Sequence, residues 1–344
     1  MKKVILLAFS IILLTSCEKE IEFNGEQTAP RLVINSLIEA GQPVTARIGK
    51  SVFFLDNNSD MQCPDDLVAT LYVNGNLYGI MDLVYDSMEM HYYDINFEDS
   101  IVYKIEKHFS SDYCPAIGDI IKITASAEGF EDVEGTTSAL PSSVDCQLVD
   151  KKVTEIDSYY MYIDEGDSAL YVYGKLELSI EVTDPNPGQA DLFKISIKRD
   201  DYDTSEESQY YASNYYVSHE FTDPVFGGSI DSNDYFDIND LDRRPEGVFS
   251  DALFDGKSYR IKVPIYFNLS KYSTTSPDFF NVPITIEHLS KEYYYYLYTC
   301  DQGSTLSEFL TEPIQVYSNV TNGYGIVGGH TTSQCWLPLP LGAK

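Results

Sequence analysis

What this sequence lacks excludes most of what a chain of 344 residues could do. It has no Gly-x-Ser-x-Gly elbow, no His-Glu-x-x-His and no phosphate-cradling Gly-x-x-x-x-Gly-Lys, so serine-hydrolase, zinc-protease and P-loop chemistry have no local signature. No Cys-x-x-Cys occurs and no two histidines stand three to five residues apart, which removes the usual zinc spacings. The histidines His91, His108, His219, His288 and His330 are scattered, and each reads as a packed or surface side chain rather than a catalytic base. Basic residues are scarce: 23 Lys and Arg face 54 Asp and Glu, for a formal charge of −31. Nucleic acid and anionic membrane surfaces both require a basic footprint, so neither is a partner. The acidity reads as a solvated, self-repelling surface. There is one tryptophan, Trp336.

The first motif is at the N-terminus. Lys2 and Lys3 precede an apolar run from Val4 to Leu14 that is too short to span a bilayer, as in a secretory signal. It closes on Leu14-Thr15-Ser16-Cys17, which resembles the bacterial lipobox, whose cysteine becomes the first mature residue and carries acyl chains. Two or more chains anchor a protein stably. Residues 1–16 are therefore expected to be removed, taking two lysines and lowering the charge from −31 to −33. Residues 17–29, polar and aperiodic, form a tether from lipidated Cys17.

With 28 tyrosines and 17 phenylalanines, the remainder has the composition of half-buried pleated surface. Arg31–Ile38, Val44–Lys50, Ala69–Val73, Ile101–Ile105 and Ile120–Ala127 alternate apolar and polar positions. Asn74-Gly75 between two such runs predicts a tight hairpin. Short strands at near-even spacing with no helix between them describe a β-sandwich of immunoglobulin-like or transthyretin-like kind over residues 30–141. Thr136 to Ser143 is a small-residue linker around Pro141.

Residues 142–344 read as a larger β-rich domain with long loops. Leu176, Leu178, Ile180 and Val182 alternate with Glu177, Ser179, Glu181 and Thr183, and Asp184-Pro185-Asn186-Pro187-Gly188 turns the chain into Leu192–Lys198. Residues 199–255 are acidic, aromatic and irregular, as functional loops tend to be. Within them Asp231, Asp234, Asp237 and Asp240 are candidate calcium ligands, although Tyr235 and Phe236 break the alternation of a calcium loop and no glycine follows until Gly247. No cofactor is otherwise indicated. Tyr259–Phe267 returns to a strand, and one short helix is predicted near 290–302, capped by Ser290 and carrying the tetrad Tyr293 to Tyr296. After Cys17, five cysteines remain, an odd number in an exported chain. Their settings favour pairing Cys63 with Cys114 and Cys300 with Cys335; sequence alone does not choose. Glu312–Val320 reads as a terminal strand, and the glycines of 323–329 bring backbone close to a sheet edge or a partner.

Two stretches carry a resemblance: Tyr293-Tyr294-x-Tyr296-Leu297, and Glu312-Pro313-Ile314-Gln315-Val316-Tyr317-Ser318-Asn319-Val320 continuing to Gly328-Gly329. Together they resemble the C-terminal signature of the domain-of-unknown-function family 4249 lipoproteins of Bacteroidota. Cys17-Glu18-Lys19-Glu20-Ile21-Glu22-Phe23 and Leu32-Val33-Ile34-Asn35 are similar to that family's N-terminus. The resemblance implies an accessory lipoprotein at the cell surface beside a TonB-dependent transporter, and it brings no catalytic residue. Glu18, Lys19 and Glu20 directly after Cys17 resemble the signal that sends such lipoproteins to the outer face of the outer membrane, and with no catalytic motif in the chain the expected role is non-enzymatic. The other expectations are a glycan-binding or hydrolytic module with its site in the 199–255 loops, and a structural or adhesive surface protein.

Overall fold

A computed structural model describes residues 29–52, 62–93, 99–162, 168–197, 215–227, 245–271, 279–302 and 316–340. The chain is mainly β, with one short α-helix, as its composition and alternation predict. Strands β1 (Leu32–Glu39) and β2 (Thr45–Lys50) open the fold, and β1 buries Leu32, Ile34, Ser36 and Ile38 while turning its alternate residues outwards. Next come β3 (Val68–Val73), β4 (Asn76–Ile80), β5 (Asp82–Tyr93), β6 (Asp99–Ser110), β7 (Ile121–Ser126) and β8 (Val133–Thr136). The β3–β4 turn falls on Asn74 and Gly75, with φ of 50° and 80°, the left-handed pair that a tight hairpin of matching twist requires.

The second half contributes β9 (Asp145–Tyr162), β10 (Ser168–Thr183), β11 (Leu192–Ile197), β12 (Tyr215–His219), β13 (Val248–Ser250), β14 (Ser258–Lys271) and β15 (Phe279–Leu289). Helix α1 (Lys291–Gln302) and strands β16 (Val320–Thr321) and β17 (Tyr324–Pro340) complete it. The strands lie in three sheets. One has eight strands in the order β13-β11-β15-β17-β1-β2-β6-β5, one has four (β12-β14-β10-β9), and one has five (β16-β8-β7-β3-β4).

Two apolar cores lie between these sheets. The first joins Leu32, Ile34 and Ile38 to Leu71, Ile121 and Ile123, and the second joins Ile195, Ile284 and Ile286 to Leu178, Ile180 and Val263. Each fully buried Leu or Ile contributes roughly 1.5–3 kcal/mol. The first core is not built from residues 32–140 alone. Val320 and Val327, from the far end of the chain, pack inside it.

That return is made by β17. Its first part runs parallel to β1, from Val33 opposite Tyr324 to Glu39 opposite His330. From His330 onwards it pairs antiparallel with β15, ending at Phe279 opposite Pro340. The glycines of 323–329 therefore meet the chain's own sheet and linker: a Cβ on Gly329 would stand 2.1 Å from Cδ2 of buried Leu140.

The structure differs from the sequence reading in three further places. Residues 316–319 are not a strand; only Val320–Thr321 is, because the Asn319 side chain takes over the pairing. Its Oδ1 accepts from the Val327 N–H at 2.9 Å, and its Nδ2 donates to the carbonyls of Val327 and Thr136 at 2.8 and 3.0 Å. The described parts of 199–255 are not all loop: they hold β12, β13 and two 3-10 turns, Pro224–Phe226 and Asp251–Leu253, with Val225, Phe226, Val248 and Phe249 buried. Strands β5, β8 and β15 have no counterpart in the runs read from sequence.

Candidate functional site

Helix α1 begins where the sequence placed it. Ser290 Oγ accepts from the Tyr293 N–H at 3.3 Å, capping the first turn, and from the Gly329 N–H at 3.0 Å, fastening the helix to β17. Tyr293 is the buried ring of the tetrad, its N-terminal neighbour Glu292 is also buried, and Tyr295 is 49% exposed. Tyr296 stands half-buried one turn on from Glu292.

Beside Tyr296 lies a cleft of about 380 Å³ lined by Asn35, Tyr296, Val316, Tyr317, Ser318, Tyr324 and Gly325. Hydrogen bonds fix the wall next to the helix. The Tyr317 N–H donates to Thr299 Oγ1 at 2.8 Å, and that hydroxyl donates to the carbonyls of Tyr295 and Tyr296, so the 316–318 segment is tied to the helix. The Tyr317 ring leans on Tyr295, with centroids 5.6 Å apart. Asn35 points away from the core because its strand neighbours Ile34 and Ser36 point into it. Gly325 has φ of 109°, and a Cβ there would meet the Ile34 carbonyl at 2.1 Å and Asn35 Oδ1 at 2.8 Å. Only glycine leaves the Asn35 amide its place. The Arg31 guanidinium lies 5.6 Å from the Tyr324 ring centroid.

Three phenols, an amide and a hydroxyl around a partly apolar hollow can stack on a ring and hydrogen-bond its edge. Burial holds the Tyr296 phenol above its ordinary pKa, with Cys300 adding to the effect. Burial raises Tyr317 likewise, and the nearby Glu292 and Tyr295 reinforce it. Both phenols therefore remain neutral hydrogen-bond donors across the physiological range.

The residues singled out from sequence have different fates. Cys17 and the acids Asp231, Asp234, Asp237 and Asp240 lie outside the described residues. Cys63, half-buried, and Cys114, exposed, are both free thiols. Cys335 has Cys146 as its neighbour, Sγ to Sγ 2.8 Å, rather than Cys300. The strand register explains this: β17 meets the helix at Gly328, against Tyr293, and carries Cys335 seven residues further, roughly 23 Å at about 3.3 Å per residue, into the second core. Sequence reasoning missed a buried acidic group. Among the described residues, Asp184, Asp191 and Asp251 bring carboxylate oxygens within 4.8 Å of one another. Asp184 was visible only as part of a turn, Asp191 was not singled out, and Asp251 stands 60 residues beyond Asp191.

The chain matches the family described as Domain of unknown function (DUF4249) over residues 18–335, and it belongs to that family. No curated protein matches it. Among solved structures it is similar to a crystal structure of a protein from Corynebacterium diphtheriae described as membrane anchored, at 11% identity and a TM-score of 0.17. That match covers 77% of this chain and 55% of the other, so the chain spans about half the length of the structure it resembles.

Proposed function

We propose that this member of the family is a lipid-anchored, outward-facing outer-membrane protein that binds a small ring-bearing nutrient in the Tyr296–Tyr317–Tyr324 cleft, without catalysing its conversion. The observation that carries the reading is where the cleft walls come from. Asn35, Tyr296, Val316, Tyr317, Ser318 and Gly325 are among the residues that carry the resemblance in sequence, and Tyr324 stands at an open position between them, although they are spread over almost 300 residues of chain. A saccharide is the ligand class that suits them, because its C–H faces stack on phenol rings and its hydroxyls need donors and acceptors such as Asn35 and Ser318. The lipobox at Cys17 supports the anchor, and no helix among the described residues is long and apolar enough to cross a membrane. A TonB-dependent transporter is the partner that the family resemblance suggests.

Titrating the full chain in detergent with a panel of soluble oligosaccharides, by calorimetry, tests the ligand. Binding weakened at least tenfold by Tyr317→Ala is the expected result; no binding across the panel, or equal binding by the variant, overturns it. Affinity purification from solubilised membranes tests the partnership, which fails if no outer-membrane barrel co-purifies. The hydrolytic reading draws less support: Asp184, Asp191 and Asp251, the acids that converge among the described residues, are each over nine-tenths buried, beyond the reach of a glycosidic bond.

A further inference from the structure

A buried carboxylate oxygen needs a donor or a cation, and the second half of the molecule holds one that has neither. Asp184, Asp191 and Asp251 are 5%, 6% and 3% exposed. They lie at one end of the second core, where the β10–β11 turn meets the 3-10 turn after β13. Asp184 Oδ1 accepts from the Asn186 N–H at 2.8 Å, and Oδ2 from the Gly256 N–H. Both oxygens of Asp191 accept from Asn186 Nδ2, at 3.2 and 2.9 Å. Asp251 Oδ2 has no partner. Leaving such a group unpaired costs on the order of 1–3 kcal/mol, and more when it is charged.

The imidazole at hand does not reach it. His288, the basic side chain that pairs with this group among the described residues, has Nε2 3.3 Å from Asp191 Oδ1. Its Nδ1 lies 2.8 Å from the Ser142 carbonyl, which can only accept, so Nδ1 carries a hydrogen and the ring is committed at both nitrogens. Asp255 adds a fourth carboxylate close by, holding the Gly188 N–H at 2.6 Å.

We propose that Asp184, Asp191 and Asp251 bind a calcium ion, with Asp251 Oδ2 as a ligand. Size and chemistry both fit. Two oxygens that each stand about 2.4 Å from a common ion are at most about 4.8 Å apart, and the three carboxylates meet that limit. The donors are all oxygen, the set a hard cation selects, while a nitrogen-seeking metal finds His288, the imidazole beside them among the described residues, occupied. Calcium completes six to eight ligands with carbonyls and water, as an exported protein meeting millimolar calcium can, whereas magnesium demands a tighter octahedron.

The ion also has structural work at this place. Ser142, in the linker between the halves, donates through Oγ to Asn186 Oδ1 at 3.1 Å, and its carbonyl receives His288 Nδ1 and the Thr331 hydroxyl. Calcium on Asp184 and Asp191 fixes the turn that grips this linker, and so stiffens the junction of the two sandwiches. The site is separate from the tyrosine cleft and does not depend on it.

Thermal unfolding of the full chain in detergent, after chelator treatment, is the test. Wild type is expected to unfold several degrees higher in millimolar calcium chloride than in chelator, with a smaller gain in magnesium chloride and none in sodium chloride at equal ionic strength. Asp251→Asn, which removes the unpaired charge but keeps the shape, is expected to unfold at or above the chelated wild type and to lose the calcium gain. Terbium luminescence sensitised by nearby rings and displaced by calcium reads the same site on wild type, should the variant fold poorly. No calcium shift together with no displaceable terbium overturns the proposal. So does a full calcium gain in Asp251→Asn, and equal or greater gains with magnesium or zinc overturn the choice of calcium.

Discussion

The two sandwiches share a sheet but are closed differently. The second core draws its residues from one continuous span, Val144 to Leu339, and gathers its polar groups at one buried end. The first draws on residues 32–140 and then borrows Val320 and Val327 from the other end of the sequence. One strand serves both, since β17 presents Val327 to the first core and Leu337 to the second. The first sandwich therefore closes only when β16 and β17 return to it, and the seam where they return is where the tyrosine cleft forms.

The largest effect is expected at that seam. Gly325→Ala puts a methyl against the Ile34 carbonyl in a backbone conformation that alanine avoids. It is expected to cost about 3 kcal/mol or more in urea denaturation, while the same change at Gly79, where a Cβ meets nothing, is expected to be well tolerated. Next come the two cavities on the shared strand. Leu337→Ala is expected to cost about 3 kcal/mol and Val327→Ala about 2 kcal/mol. Amide exchange distinguishes the pair: Val327→Ala is expected to loosen Leu71, Ile121 and Ile123, and Leu337→Ala to loosen Ile180, Val263 and Ile284. Equal loosening of both cores by either change would mean that the two halves unfold as one unit.

A smaller, pH-dependent effect marks the same strand. His330 is buried, and burial holds its pKa below the ordinary value against the pull of Glu287 and Glu39, with Lys194 assisting the depression. Its Nδ1 has no partner and its Nε2 stands 3.6 Å from Glu287. The unfolded chain therefore takes up this proton at a higher pH than the folded one does, and stability falls as pH drops through about 6.5 towards the depressed folded value. Denaturation midpoints of wild type and His330→Gln, compared between pH 7.5 and pH 5, are expected to converge as the pH falls; a constant gap would contradict the sign.

Much of the fold was legible from local pattern. The alternation of Leu176 to Thr183, the Asn74-Gly75 turn and the Ser290 cap are decided by neighbours a few residues apart, and each stands where the sequence places it. What escaped was non-local. The glycines of β17 carry no alternating apolar signal, because Gly328 and Gly329 are shaped by Tyr293 and Leu140, which lie far off in sequence. The cleft was half legible: the motifs that build it could be seen, but not that Asn35 would stand beside Tyr317. The acidic site was hidden among 54 acids, since only folding brings Asp251 to Asp184 and Asp191.

Hydrogen–deuterium exchange of the full chain with and without a saturating oligosaccharide reads out saccharide binding in the tyrosine cleft. New protection is expected only in the 316–318 segment, Tyr324-Gly325, the second turn of α1 around Tyr296, and β1 around Asn35. Protection placed instead on 215–227 and 245–255, with the cleft unchanged, would contradict it.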